Sequence, residues 1–352
     1  MINHIYWKNG NLTVLDQRLL PFKKVYKRCE TLEDVVTAIR DMTIRGAPLI
    51  GIVAAYGVAI GVREAIRAKG RIRTRDVERM YSRLANSRPT AVNLIWALER
   101  MWNTFSQYKD SPNLVDLLLE SAKTIHREDI ENNRKLSTYG AELIDDGDTV
   151  LTHCNAGALA TGGYGTALGV LRAAHEAGKQ IRVIATETRP YLQGARLTAW
   201  ELHQEGIDVA LVPDNHAGLL CAEGVINKVI VGADRIARNG DVANKIGTYT
   251  IALAAHEHHV PFYVAAPLSS FDQTIKSGYD IEIEQRNGAE VTHLNGVPLT
   301  LKRIEALYYA FDITPGRLIT YIVTERGVID RPFAKYIRTL FPDRRDHYNG
   351  PH

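Results

Sequence analysis

Cysteine is scarce in this chain: only Cys29, Cys154 and Cys221 occur, with no C-x-x-C spacing. Three thiols cannot all pair, which rules out a disulfide framework, and the spacing indicates no zinc site. Charge of one sign is not in excess either. The formal net charge is +3 over 352 residues. The basic residues are scattered apart from a mild cluster at Arg63–Arg79, so no nucleic-acid partner is expected. The longest apolar run, Pro48 to Val62, is too short to span a bilayer and holds three glycines. At the N-terminus, Lys8, Asn9 and Gly10 interrupt any signal-peptide-like run. Repeats and low-complexity segments are lacking, and only the tail after Pro342 reads as loosely held. These absences leave a cytoplasmic protein of enzyme size, with no membrane partner and room for two or three domains.

The residues that are present divide the chain in two, at about 145/146. Residues 1–145 open with alternating runs, Ile5-Tyr6-Trp7 and Leu12-Thr13-Val14-Leu15, around an Asn9-Gly10 hairpin signal. Thr31-Leu32-Glu33-Asp34 then offers a capped helix start. Helical patterns follow at Leu49–Val62, Thr74–Asn86, Ala91–Tyr108 and Asn113–Ile144, the first apolar on nearly all sides and therefore central. Residues 146–352 alternate instead. Strand-like runs at Thr149–Cys154, Ile181–Glu187, Asp208–Pro213, Lys228–Gly232 and Pro261–Ala265 are separated by helical stretches, the pattern of βαβ crossovers. Ile281-Glu282-Ile283-Glu284 reads as an edge strand, and Thr314-Pro315 as the start of a helix that stops at Gly327. The fold class is α/β: a small β-hairpin plus helical domain, then a Rossmann-like parallel-sheet domain.

The stretch from Asp148 to Lys179 organises the second part. It runs strand, glycine-rich turn, helix, the plan by which backbone N–H groups and a helix N-terminus cradle a phosphate. A dinucleotide site does not fit, because Gly163-Tyr164-Gly165-Thr166-Ala167-Leu168-Gly169 brings its third glycine one residue late. Cys154 stands at the C-terminal end of the strand, the edge where open α/β sheets bind ligands. A lone cysteine there is commonly a small buried hydrophobe. The other strand ends deliver Glu187-Thr188-Arg189, Asp214-Asn215 and Gly232-Ala233-Asp234-Arg235, so two carboxylates and a thiol share one edge. Gln193 and Asn244-Lys245 lie one loop further on, and Lys245 precedes the helical pattern Ile246–His259, where an ammonium and a helix N-terminus can share a phosphate. Asp234 and Arg235 are also candidates for a local ion pair. His153 adjoins Cys154, but neighbours on a strand face opposite ways, which argues against direct pairing.

Thr152-His153-Cys154-Asn155-Ala156-Gly157-Ala158-Leu159-Ala160-Thr161 resembles the signature of the methylthioribose-1-phosphate isomerases of methionine salvage. So do Glu187-Thr188-Arg189-Pro190, the run from Leu192 to Leu202, and the run from Val231 to Tyr249. Ile44-Arg45-Gly46-Ala47-Pro48 and Ser87-Arg88-Pro89-Thr90 fit as well, so the resemblance covers both parts nearly end to end. It implies Cys154 and Asp234 as the catalytic pair. It implies substrate contacts at Arg45, Gly46, Ala47, Arg88, Gln193, Asn244 and Lys245, no metal or other cofactor, a sugar phosphate as substrate and a homodimer. His216 stands where the family pattern has Met, and Glu282–Arg286 also departs from it. Neither departure touches the catalytic pair, and the histidine bears on the sugar's 5-substituent more than on the reaction.

The chemistry asks for such groups. A sugar phosphorylated at its anomeric oxygen cannot open to a free aldehyde, so isomerisation needs an acid at the ring oxygen and a base at C2. A carboxylic acid serves if burial raises its pKa, and a thiolate can serve as base. Cys154 is assigned the base and Asp234 the acid. Two further readings share these motifs. One is an isomerase of a related sugar 1-phosphate, 5-deoxyribose 1-phosphate or ribose 1,5-bisphosphate. The other is a non-enzymatic regulatory subunit like those of the translation-initiation exchange factor, which has no need of both Cys154 and Asp234.

Overall fold

The structure, a computed structural model, describes residues 2–88, 91–294 and 296–341. Pro89 and Thr90, and the tail from Pro342 read above as loosely held, lie outside the described residues. The chain packs as two compact units, one holding residues up to Arg134 together with Gly157–Gly165, the other Lys135–Ala156 and Thr166–Leu340.

The first unit begins with β1 (Ile5–Lys8), β2 (Asn11–Leu15) and β3 (Tyr26–Cys29), an antiparallel sheet in that order. Asn9 and Gly10 at its first turn have φ of 51° and 77°, the left-handed pair that a two-residue hairpin requires. Helix α1 (Leu32–Arg40) starts as its sequence prescribes, with Thr31 Oγ1 accepting from the Asp34 N–H and the Asp34 carboxylate accepting from the Thr31 N–H. Helix α2 (Ala47–Lys69) runs further than the apolar pattern suggested. By length and apolarity alone it could cross a membrane, yet 78% of its most apolar window is buried inside the protein. Its Leu49, Ile52 and Ile60 are fully buried, each contributing about 1.5–3 kcal/mol relative to exposure. Around it pack α3 (Thr74–Ala85) and α4 (Val92–Tyr108). Gly51 is the contact with α4, since a Cβ there would stand 2.5 Å from the Asn93 carbonyl oxygen. Helix α5 (Leu114–Ala141) carries the chain into the second unit.

The second unit is built on strand–helix repeats: β4 (Thr149–Thr152), α6 (Ala167–Glu176), β5 (Arg182–Thr186), α7 (Ala199–Gln204), β6 (Asp208–Val212), α8 (His216–Ala222) and β7 (Lys228–Val231). A small antiparallel layer follows, made of β8 (Arg235–Ile236) and β9 (Val242–Lys245), then α9 (Thr248–Glu257) and β10 (Phe262–Ala265). Next come α10 (Ala289–Thr292), the two-residue strands β11 (His293–Leu294) and β12 (Val297–Pro298), and β13 (Phe311–Thr314), which pairs with β9. Two last strands, β14 (Tyr321–Thr324) and β15 (Gly327–Ile329), complete the sheet before α11 (Phe333–Leu340). The seven strands lie in the order β15-β14-β10-β7-β4-β5-β6, all parallel except β15. From β4 the chain winds outward through β5 and β6, then returns to start β7, β10 and β14 on the other side. The order reverses between β4 and β7, which is the switch point of a doubly wound sheet.

Two sequence expectations fail here. The region after Thr314-Pro315 is not a helix but a short 3₁₀ turn and the strands β14 and β15. The β-favouring run Tyr321-Ile322-Val323-Thr324 outweighs the helix-start signal, because it fills a place beside β10 in the sheet. Ile281–Glu284 forms no strand; beside it a single bridge joins Gln285 to Tyr309.

Candidate active site

Cys154 and the loop leading to Asp234 leave adjacent strands at the switch point. Leu151 of β4 pairs with Val229 of β7, and both strands run out toward the same edge. The two loops then meet: a Cβ on Gly232 would lie 2.7 Å from Ala156 Cβ. Only glycine lets the chain that reaches Asp234 approach so near. The Asp234 N–H donates to the Ala243 carbonyl at 2.9 Å, which ties this loop to β9. Arg235, considered above as a partner for Asp234, reaches Asp272 at 3.6 Å.

The Cys154 backbone is left-handed, with φ of 65°, a conformation costing a non-glycine residue about 1–3 kcal/mol. Two hydroxyls hold it there. The Cys154 N–H donates to Thr188 Oγ1 at 2.9 Å, and its carbonyl accepts from Thr198 Oγ1 at 2.5 Å. Asn155, buried, donates to Thr198 Oγ1 at 3.2 Å and to Glu201 Oε1 at 2.8 Å. His153 is engaged elsewhere, as its place on the strand led us to expect. Its Nε2 donates to the Ile246 carbonyl at 2.8 Å and its Nδ1 meets Thr186 Oγ1 at 2.6 Å. A carbonyl can only accept, so the proton sits on Nε2. Burial lowers the imidazole's pKa, against the Asp214 charge and the Ile246 carbonyl, which keeps the ring neutral.

Gln193 is buried, and its Oε1 is a buried acceptor without a hydrogen bond among the described residues. The adjacent Gly194 presses on Thr186, where a Cβ would fall 1.7 Å from the carbonyl oxygen. Such an orphaned acceptor awaits a donor. Asn244 donates to Thr248 Oγ1 at 3.0 Å, and the Lys245 ammonium donates to the Ala310 carbonyl at 2.9 Å above the Phe311 ring. The N-terminus of α9, expected to share a phosphate with Lys245, already holds a carboxylate. Asp312 accepts from the Gly247 N–H at 2.7 Å and from the Tyr249 N–H at 3.1 Å. Burial pushes its pKa up to about 6 against those N–H groups and Lys245. Burial also raises the Tyr308 phenol, with the Glu290 carboxylate adding to the rise, so this phenol stays protonated.

In the glycine-rich stretch, three N–H groups that a phosphate would use are already taken. The Gly162 N–H donates to Asp129 at 2.6 Å, and those of Gly163 and Gly165 to Thr161 Oγ1 at 3.2 and 3.1 Å. Its carbonyls are held too, by His4 at Thr161, Gln17 at Leu159 and His126 at Gly162. These glycines serve close packing: a Cβ on Gly162 would meet His126 at 2.8 Å and Asp129 at 2.9 Å.

In the first unit Arg45, Gly46 and Ala47 form the entry to α2. Gly46 is its N-cap at φ of 103°, and a Cβ there would fall 2.5 Å from Ala160 Cα. Arg45 is buried and Arg88 half-buried. Because Gly51 meets Asn93, the starts of α2 and α4 lie together, which brings Arg88 to the same end of the bundle as Arg45. Among the described residues no group of three or more His, Cys, Asp or Glu side chains is placed to hold a metal. The hydroxyl supports of Cys154 and the carboxylate cap of α9 were missed by sequence reasoning. Thr188 stood in a strand-end turn and in a motif shared with the resembling family, with no role read for it, and nothing near α9 in sequence announces Asp312.

The model of the initiation factor 2 subunit family matches residues 43–331. The chain belongs to that family. A methylthioribose-1-phosphate isomerase from Thermotoga neapolitana is 54% identical over 334 residues, covering 95% of this chain and 96% of the relative. Among solved structures of the family's fold, 5-methylthioribose 1-phosphate isomerase from Pyrococcus horikoshii OT3 is similar with a TM-score of 0.88 at 41% identity, covering 97% of this chain and 96% of the other. The translation initiation factor eIF-2B, subunit delta, from A. fulgidus is similar with a TM-score of 0.83 at 42% identity, over 97% and 99% of the two chains. The family thus holds members named as enzymes and members named as translation factors.

Proposed function

We infer that this chain is an aldose–ketose isomerase that converts 5-methylthioribose 1-phosphate to 5-methylthioribulose 1-phosphate in methionine salvage. The observation that carries it is the near full-length identity to isomerases, 54% for the Thermotoga relative. The residues fit the chemistry: the chain has a thiol and a carboxylate on adjacent strand ends at the switch point of its sheet. That pairing favours catalysis over a purely regulatory subunit, which needs neither group.

In our proposal Asp234, as a neutral acid, donates its proton to the ring oxygen and opens the sugar. The Cys154 thiolate takes the proton from C2, giving an enol phosphate. Cys154 then gives a proton back to C1 while the C2 hydroxyl returns its proton to the Asp234 carboxylate, which forms the 1-phosphoketose and restores both groups. Arg45, Arg88 and Lys245 hold the phosphate dianion, with Gly46, Ala47, Gln193 and Asn244 as further substrate contacts, and their binding energy fixes C2 before the base. The buried, orphaned Gln193 Oε1 supports a role toward a substrate hydroxyl. We place the enzyme in the cytoplasm as a homodimer. The exposed apolar side chains of Val297 (63%), Leu301 (64%) and Leu307 (75%) support self-association.

The test is a side-by-side assay of three sugar 1-phosphates carrying 5-methylthio, 5-deoxy and 5-phospho substituents. The reading predicts the highest kcat/KM on the 5-methylthio sugar. Preference for the bisphosphate would overturn the substrate while leaving the reaction, and no turnover of any would overturn both.

A further inference from the structure

The sheet ends place two buried threonines against the backbone of one strained residue. Thr188 and Thr198 are both fully buried, and both spend their hydroxyls around Cys154. Thr188 Oγ1 accepts from the Cys154 N–H at 2.9 Å and donates to the Thr186 carbonyl at 3.3 Å. Thr198 Oγ1 donates to the Cys154 carbonyl at 2.5 Å and accepts from Asn155 Nδ2 at 3.2 Å. Cys154 is therefore held at both ends of its own residue, by side chains that are far from it in sequence. The clamp has an anchor of its own. Thr188 is left-handed as well, at φ of 61°, and its N–H donates to Asp214 Oδ1 at 2.6 Å while the next N–H, of Arg189, donates to Oδ2 at 2.7 Å. A carboxylate accepting two backbone N–H bonds makes a stiff support.

A left-handed residue at the end of β4 aims its side chain differently from an extended one, whose direction would continue the alternation of the strand. The backbone conformation of Cys154 thus decides where its sulfur points, and the two hydroxyls decide that conformation. We propose that Thr188 and Thr198 are positioning residues of the isomerisation. They lock Cys154 in the left-handed conformation that directs its thiol at the reacting carbon, with Asp214 anchoring Thr188. This rests on the reading of Cys154 as the base.

The experiment compares Thr188→Val, which keeps shape and loses the hydroxyl, with Thr188→Ser, which keeps the hydroxyl. Steady-state kinetics on 5-methylthioribose 1-phosphate are paired with the rate of Cys154 alkylation by iodoacetamide across pH, followed by peptide mass. Thr188→Val should lower kcat by roughly ten- to a hundredfold, the scale of a small misplacement of a reacting group. KM should stay within about threefold, since misplacement acts on the chemical step rather than on substrate binding, and kcat is expressed per folded protein measured by circular dichroism, so that a loss of fold is not read as a loss of rate. Its alkylation profile should shift, while Thr188→Ser restores both readouts. A folded Thr188→Val protein with wild-type kcat and an unchanged alkylation profile would overturn the clamp. If that variant does not fold, Thr198→Val is measured with the same expected and contrary outcomes. Cys154→Ser run in parallel separates the two ideas. If it is inactive while Thr188→Val is normal, only the clamp falls; if it turns over normally, the base assignment falls and the clamp with it.

Discussion

Gly232 and Ala156 meet where a side chain would otherwise stand, with 2.7 Å between Ala156 Cβ and the position of a Cβ on Gly232. That contact joins the loop carrying Asp234 to the one carrying Cys154, so packing there sets the spacing of the proposed catalytic pair. Gly232→Ala must push the loops apart. We expect a modest loss of stability, about 1–3 kcal/mol as for other overpacked sites, and a larger loss of kcat, at least about tenfold. A folded alanine variant with wild-type kcat would show that the spacing of these loops does not matter to the reaction.

Arg88 sits in a turn rather than in the core, so its removal leaves the helices of the first unit intact. A charge-assisted hydrogen bond to phosphate is worth about 1.5–3 kcal/mol. Arg88→Ala should therefore raise KM roughly ten- to a hundredfold at an unchanged melting temperature. Unaltered kinetics in the folded variant would remove Arg88 from the phosphate site.

Asp312 gives a pH dependence whose sign can be worked out. Burial raises its folded pKa to about 6 from an ordinary 3.8. Its stabilising contribution is complete below the ordinary value and is lost as pH rises through about 6. Asp312→Asn cannot ionise and loses one of the two N–H bonds to α9, a cost that does not vary with pH. The stability of the variant relative to the parent should thus climb by on the order of 2–3 kcal/mol between pH 4 and pH 7. Urea midpoints of both proteins across that window read it directly. A difference independent of pH would contradict the buried, proton-binding state of this carboxylate.

The route of the C2 proton is also open to measurement. With Cys154 as base, turnover in deuterated water should place deuterium at C1 of the ketose, detected by proton NMR of the product. Complete retention of a C2 label at C1, even after long reaction, would favour a hydride shift over proton transfer through a thiol that exchanges with solvent. Cys154 would then stabilise the transition state instead of taking a proton.

Much of this was legible in the sequence because local signals and tertiary structure agree. Asn9-Gly10 turns the hairpin, Thr31 and Asp34 cap α1, and each of the five strand patterns became a parallel strand. The errors lie where distant partners decide. The glycines from Gly162 to Gly165 match a phosphate loop locally, but the carboxylate of Asp129 and the hydroxyl of Thr161 take their N–H groups. The start of α9 resembles an anion site until β13, laid beside β9, delivers Asp312 to it. The third strand of the first sheet, Tyr26–Cys29, reads YKRC and shows little alternation to reveal it. Thr188 and Thr198 escaped notice for a similar reason, since a hydroxyl that supports a backbone 34 or 44 residues away leaves no local pattern.

The most direct test of the account measures turnover of 5-methylthioribose 1-phosphate by the parent protein and by folded Cys154→Ser and Asp234→Asn variants. The parent should be active. Each variant should lose roughly a hundred- to ten-thousandfold in kcat, the usual worth of general acid–base catalysis, with little change in substrate binding. A folded Asp234→Asn or Cys154→Ser protein that keeps the parent's kcat would contradict the assignment of the chemistry to this pair.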